Sequence, residues 1–254
     1  MLVRFIALSL FVLGLPAQAG HLLDLEVVNR TGGEVLTTYR HSGQSYVAGN
    51  PGDGYSLRLV NRSSERVLAV LSVDGINVVT GETASPQQSG YVLEPYGSAE
   101  ITGWRKSLRE VAQFYFTALP DSYAARTDRP DNVGVIGVAV FREKARPQPP
   151  VIYPQSVPAP AGAAESAAGS VRSDNAFKAG KESAQRLGTG HGEREYAPTQ
   201  FTEFERVSRS PNEVISLSYD SRANLMARGI IRSPRPAMPE PQPFPGWFVP
   251  DPRG

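Results

Sequence analysis

His191-Gly192-Glu193 is the one place in the chain where an imidazole and a carboxylate stand two residues apart, inside the glycine-rich run GTGHGERE from Gly188 to Glu195. A zinc centre needs three or four convergent ligands. The other histidines, His21 and His41, are distant in sequence, so His191 and Glu193 are weak metal candidates and the run reads as a flexible, solvated loop. Glu203 and Glu205 repeat at the spacing of one strand face, the arrangement of an acid-base pair but also of any wet strand surface.

The stretch Pro120 to Asn132, PDSYAARTDRPDN, is richer. Asp121, Asp128 and Asp131 offer oxygens to a hard cation, Arg126 and Arg129 offer planar forks to a carboxylate or phosphate, and Tyr123 offers a ring for stacking. These six residues make the expected ligand-binding site, with the two arginines as anchors. The competing reading is that charges of both signs neutralise one another and pin the loop. Trp104-Arg105-Lys106 sets an aromatic beside two cations, a pattern that suits a polyanion or sugar, against a tryptophan that ends a strand in the core. Nucleophilic and nucleotide chemistry find no support: there is no G-x-S-x-G elbow, no H-E-x-x-H, and Gly180-Lys181 lacks a glycine-rich phosphate loop before it. No catalytic residue and no cofactor is expected.

The elements that must position these residues are strands. In RVLAVLSVDGINVVT, Arg66 to Thr80, two β-branched runs flank Asp74-Gly75, the dipeptide that accepts the positive φ angles of a type I′ hairpin. With those two residues as the loop, Val73 faces Ile76, Ser72 faces Asn77, Leu71 faces Val78 and Val70 faces Val79, which puts Val73, Ile76, Leu71 and Val78 on a core face. Short alternating runs from Leu22 to Phe141, broken by turns such as NRTGG and GNPGDG, repeat at the spacing of a sandwich. The most apolar of them, Val111 to Leu119 and Val133 to Phe141, flank the charged loop.

Composition divides the rest. Met1 to Ala19 has one charge, Arg4, an apolar run from Phe5 to Leu15, then Pro16 and Ala17-Gln18-Ala19, the pattern of a secretory signal peptide. The apolar run is about half the roughly 20 residues of a spanning helix, so no integral membrane segment is expected after cleavage. The chain has 254 residues and no cysteine, which excludes disulfides and thiolate chemistry. Without Arg4 it carries 25 basic and 25 acidic residues, a balance that advertises no nucleic acid. Residues 143–173 read as a Pro/Ala-rich linker. Residues 174–232 read as a small α+β region, with strands at Thr199 to Val207 and Glu213 to Tyr219 and a short helix capped by Asp220. Residues 233–254 hold eight prolines and read as a polyproline-like or disordered tail.

The runs SVDGINVVTG, GYVLEPYGSAEITGWRKS, FYFTALPDSYAARTDRPDNVGVIGVAVFRE, GTGHGEREY and YDSRANL resemble a family of uncharacterised exported proteins of Gram-negative bacteria. The resemblance implies a periplasmic or secreted location and brings no site residues with it. The expected architecture is an Ig-like-type antiparallel β-sandwich over residues 20–142, a Pro/Ala-rich linker and a small α+β appendage. The expected function is a noncatalytic exported cell-envelope binding module with a protein or envelope-polymer partner. The alternatives are a metal-dependent or acid-base hydrolase and a structural component of an exported assembly.

Overall fold

The structure, a computed structural model, describes residues 21–145 and 186–232. The expected signal peptide, most of the expected linker and the proline-rich tail lie outside the described residues. In chain order the strands are β1 (Leu23–Asn29), β2 (Thr38–His41), β3 (Gln44–Gly49), β4 (Gly54–Asn61), β5 (Val67–Val73), β6 (Ile76–Asn77), β7 (Tyr91–Leu93), β8 (Ser98–Ile101), β9 (Gly103–Arg105) and β10 (Glu110–Ala118). Helix α1 (Tyr123–Arg126) follows, then β11 (Val135–Arg142), β12 (Leu187–Tyr196), β13 (Glu213–Ser221) and helix α2 (Arg222–Ala227).

The chain is mainly β and forms a two-sheet sandwich. One sheet runs β1-β4-β10-β12, with β8 beside β4 and β9 beside β10. The other runs β2-β3-β13-β11-β5-β6, with β7 beside β5. The first sheet is antiparallel throughout. The second is mixed, because β13 lies parallel to β3 while antiparallel to β11. The sandwich is antiparallel as expected apart from this pair: a parallel pair needs a long crossover, and here it joins β3, near the start of the chain, to β13, near its end, through more than a hundred intervening residues, which no local pattern announces.

The strands after residue 186 are not a layer of their own. β12 pairs along β10, and β13 fills the position between β3 and β11. The run from Gly188 to Glu195, expected to be a flexible loop, is strand. Its glycines alternate because the outer face of β12 has no room for side chains: a Cβ on Gly190 would lie 2.1 Å from the Tyr115 ring, and one on Gly188 would lie 2.6 Å from Ser122. Conversely, Thr199 to Val207, expected to be a strand, makes only a single bridge between Glu143 and Arg206 and otherwise runs as an irregular strap. Helix α2 is capped by Ser221, whose hydroxyl accepts from the Asn224 N–H at 3.1 Å, one residue after the expected Asp220. Gly229, with φ of 71°, ends it.

The hairpin is as its sequence dictates up to Asn77. Asp74 and Gly75 have φ of 53° and 74°, Val73 pairs Ile76 and Ser72 pairs Asn77. Leu71, Val73, Ile76 and Val78 are all buried in the core. Beyond that the second arm turns away, because the buried Asn77 carboxamide accepts the N–H groups of Val79 and Thr80 at 2.8 and 3.0 Å. The expected Val70–Val79 pair therefore does not form.

Asp74 does more than turn the chain. Only 1% exposed, its Oδ1 accepts from the Tyr219 hydroxyl at 2.5 Å and the Gly134 N–H at 2.9 Å, and its Oδ2 accepts from the Thr189 N–H at 2.8 Å. The Thr189 hydroxyl in turn bonds to the hydroxyls of Tyr219 and Tyr55 at 2.6 and 2.7 Å. Tyr55 and Thr189 belong to one sheet, Asp74 and Tyr219 to the other. Around this polar centre Tyr55 stacks on Phe114 and Phe116 at 5.4 and 4.3 Å, and Trp104 meets Phe114 edge-on at 5.2 Å.

Burial pushes the Asp74 carboxyl above its ordinary 3.8, with the Tyr219, Gly134 and Thr189 bonds opposing that rise. Between the unfolded value and the raised folded one, the native chain binds more protons, so this group's contribution to stability falls as pH rises through that window. Replacing Asp74→Ala strands three buried donors and is expected to cost about 3 kcal/mol or more in denaturant unfolding. In Asp74→Asn the titration is gone, so the stability gap between the natural protein and this variant should narrow from pH 4 upward. A gap that widens with pH would contradict the raised pKa.

Candidate functional site

The expected ligand loop is ordered and largely used up by its own fold. Ser122 caps α1, accepting from the Ala125 N–H at 3.1 Å and donating to the Leu119 carbonyl at 2.7 Å, and is fully buried. Tyr123 lies half-buried between the Trp104 and His191 rings, with centroids at 4.9 and 5.4 Å, so its faces are already occupied. Arg129 donates to the Gly81 carbonyl at 3.1 Å and to the Thr127 hydroxyl through Nε and Nη2, which makes it a pin. Arg126, on the last turn of α1, is exposed. Asp121, Asp128 and Asp131 are exposed too, and among the described residues no group of three or more His, Asp or Glu side chains comes together to hold a metal ion.

His191 and Glu193 belong to β12 rather than to a loop. Burial, then the positive charge of Lys106, with smaller contributions from Arg126 and Arg194, lowers the His191 imidazole below its ordinary 6.5 and favours the neutral ring. Glu203 and Glu205 lie on the strap, where Glu205 pairs with Lys144 at 2.6 Å.

The strap builds what the sequence reading missed. Leaving β12, it is tied to the β9–β10 turn by Ala197 N–H to the Arg109 carbonyl and Thr199 N–H to the Leu108 carbonyl, both 2.8 Å. It reaches the second sheet where Val207 N–H donates to the Arg142 carbonyl at 3.1 Å. Phe204 packs against Leu68, Val70, Ala139 and Phe141 on that sheet's outer face. Arg206 lies 4.2 Å over the Phe141 ring and donates to the carbonyls of Pro86 and Gln88 at 2.9 and 2.7 Å. Between the strap and the edges of β7 and β9 a cleft of about 800 Å³ remains.

Its walls carry Tyr91, Arg105, Lys106, Phe201 and Arg206, with Gln88 among the amides. The Arg105 guanidinium is held by the Ala197 carbonyl and lies 3.3 Å from the Tyr91 hydroxyl, so it is fixed in place before any ligand arrives. Lys106 has no ion-pair partner among the described residues, whereas Glu94, the acid of the cleft, is paired with Arg66 at 3.0 Å. Phe201 is 88% exposed. Of all this the sequence offered Trp104-Arg105-Lys106. Trp104 proves to be core, its indole N–H bonded to the Gly190 carbonyl at 3.1 Å, while the two cations face the cleft.

No protein-family model, curated protein or solved structure matches the chain. What the site can do therefore follows from its geometry: a fixed guanidinium, an unpaired ammonium and an exposed ring beside a long polar cleft can hold an extended anionic or hydroxyl-bearing chain.

The two arginines should separate. Arg129→Ala breaks the ties to Gly81 and Thr127 and is expected to cost about 1 kcal/mol, a fall of roughly 2–4 °C in Tm for a chain of this size. Arg126→Ala should leave Tm within 1 °C or so, as an exposed substitution does. Equal losses in thermal melts would show that Arg126 also pins the loop.

Proposed function

We propose that the protein is a noncatalytic, exported binding module whose strap-roofed cleft takes an acidic polysaccharide of the bacterial envelope. The observation that carries this reading is the juxtaposition in one cleft of the unpaired Lys106, the preorganised Arg105 and the exposed Phe201. Arg105 and Lys106 attract carboxylates or sulfates, Tyr91 and Phe201 offer flat apolar faces to sugar rings, and the amides and hydroxyls of the walls match ring hydroxyls. A preformed cation loses little freedom on binding, which strengthens its contact with an acidic group of the ligand. Export rests on the Met1 to Ala19 pattern and on the resemblance to exported Gram-negative proteins.

Calorimetry with a polyuronate and with a neutral glucan tests the proposal. Binding of the acidic polymer should weaken about ten-fold in Lys106→Ala and in Phe201→Ala, each equivalent to about 1.4 kcal/mol, and should fall with added salt. Neither change touches the core, so melting curves should be unaltered. Failure of both polymers to bind, or binding indifferent to both substitutions, would overturn the assignment.

A further inference from the structure

β12 carries a bulge opposite the middle of β10. Ala112 of β10 pairs with Arg194 and Phe114 pairs with His191, so Gly192 and Glu193 together oppose Gln113 alone. On a regular strand, residues three apart point to opposite faces. The extra residue of the bulge brings His191 and Arg194 round to the same face, and bulges recur where a side chain has to be re-aimed. That face is the inner one, because Ala112 and Phe114 are fully buried in the core and directly paired residues share a face. Among the described strands β12 ends its sheet, so the two side chains stand at the rim of the sandwich. His191 is half-buried and Arg194 exposed. The imidazole centroid lies 5.4 Å from that of Tyr123, which lies 4.9 Å from that of Trp104, so packed rings support the rim. Three cations from three places in the fold act on this imidazole: Lys106 of the β9–β10 turn, Arg126 at the end of α1 and Arg194 of β12. Glu110 pairs with Arg194 at 3.3 Å, while Lys106 and Arg126 have no ion-pair partner among the described residues.

Like charges gathered at one ring repel, and what relieves them is a compact anion. We propose that His191, Arg126, Arg194 and Lys106 form a phosphate-binding site at the rim of the sandwich. In this group three cations stand against one acid, which leaves a surplus of two positive charges. A phosphate group carries a charge of about −1.5 to −2 at neutral pH and so matches that surplus. A carboxylate, with one charge, leaves half of it uncovered. The two guanidiniums can grip phosphate oxygens as planar forks, the ammonium adds a point charge, and the neutral imidazole adds an N–H donor that needs no counter-ion of its own. Burial, Lys106 and the two arginines all favour that neutral ring, and a bound anion works against them. Of the four residues only Lys106 also lines the cleft, so the proposal does not rest on the polysaccharide reading.

Imidazole NMR signals of the full chain, followed during additions of inorganic phosphate or glycerol phosphate against sodium chloride of matched ionic strength, test the site. The His191 signal, identified by its loss in His191→Gln, should shift on addition of phosphate. Its titration midpoint should rise by about one pH unit at saturation, because the bound anion offsets the surrounding cations. Arg126→Ala should weaken phosphate binding about ten-fold and leave the melting curve unaltered. Phe201→Ala, in the cleft, should bind phosphate as the natural protein does. Saturation by inorganic phosphate supports the site and assigns it a free phosphate; saturation by glycerol phosphate alone supports it and assigns a phosphoryl group on an organic carrier. A His191 titration that neither probe moves further than chloride does would overturn the proposal, as would equal affinities of Arg126→Ala and the natural protein. Phosphate binding lost in Phe201→Ala would also overturn it, by placing the anion in the cleft.

Discussion

Everything in this sandwich hangs from one buried carboxylate. Asp74 stands at the tip of the β5–β6 hairpin and accepts from a strand of the other sheet, from the loop before β11 and from the Tyr219 phenol of β13. A buried carboxylate without partners costs several kcal/mol, so each of these three donors must be present together. That requirement fixes the chain globally. A one-residue slip of β12 would turn Thr189 away from Asp74 and its hydroxyl away from Tyr55 and Tyr219, leaving the Asp74 Oδ2 and the Tyr55 hydroxyl buried without those partners. In a chain without cysteine, where no cross-link holds the sheets together, this register lock does the work of specifying how they face each other. Its strength lies in specificity more than in net energy, since burial opposes the ionised form that the hydrogen bonds favour.

The functional surfaces follow from where β12 must then lie. Thr189 facing inward places Gly188, Gly190 and Gly192 outward, and only glycine leaves space there for Ser122, Val133 and the Tyr115 ring. The loop from 120 to 132 stands on that bare strand, which is why it is an ordered support rather than a free recognition loop. β12 then delivers the chain to Ala197, beside Arg105, and the strap has to cross from there to β11 before β13 can begin. The cleft is the space left by that crossing.

The local features were legible in the sequence and the long-range ones were not. The Asp74-Gly75 turn, its core face and most strands up to Phe141 read directly from β-branched alternation and turn residues. The role of Asp74 did not, because a DG turn accounts for an aspartate without calling for a buried partner, and its partners Thr189 and Tyr219 lie 115 and 145 residues away. GTGHGERE reads as a loop because glycine weakens strand propensity; the signal that identifies it as strand is the period of two, with Thr and His between the glycines. TQFTEFERV has strand-like alternation, yet its phenylalanines serve different surfaces, Phe204 covering the second sheet and Phe201 pointing to water. The loop's six candidate residues stand out by chemical type, and type says nothing about whether a guanidinium is already spoken for, as that of Arg129 is.

Electrostatics adds a final constraint on what such a protein recognises. Around the sheets several cations are matched: Arg30 with Glu195, Arg58 with Glu26, Arg62 with Asp24, Arg66 with Glu94 and Glu143, and Arg142 with Glu65. Exposed pairs of this kind add little stability, but they flatten the surface potential, and the formal net charge of +1 adds no long-range field. Beyond a Debye length of about 8 Å at physiological salt, a partner therefore feels almost nothing. Recognition has to come at contact range, from cations that sit beside other ligand-binding features. Lys106 beside the fixed Arg105 is such a place, and it borders a large cleft whose walls also present the exposed Phe201 ring. A ligand drawn there by charge alone would be held weakly; one that also lays rings against Phe201 and Tyr91 satisfies both features at once.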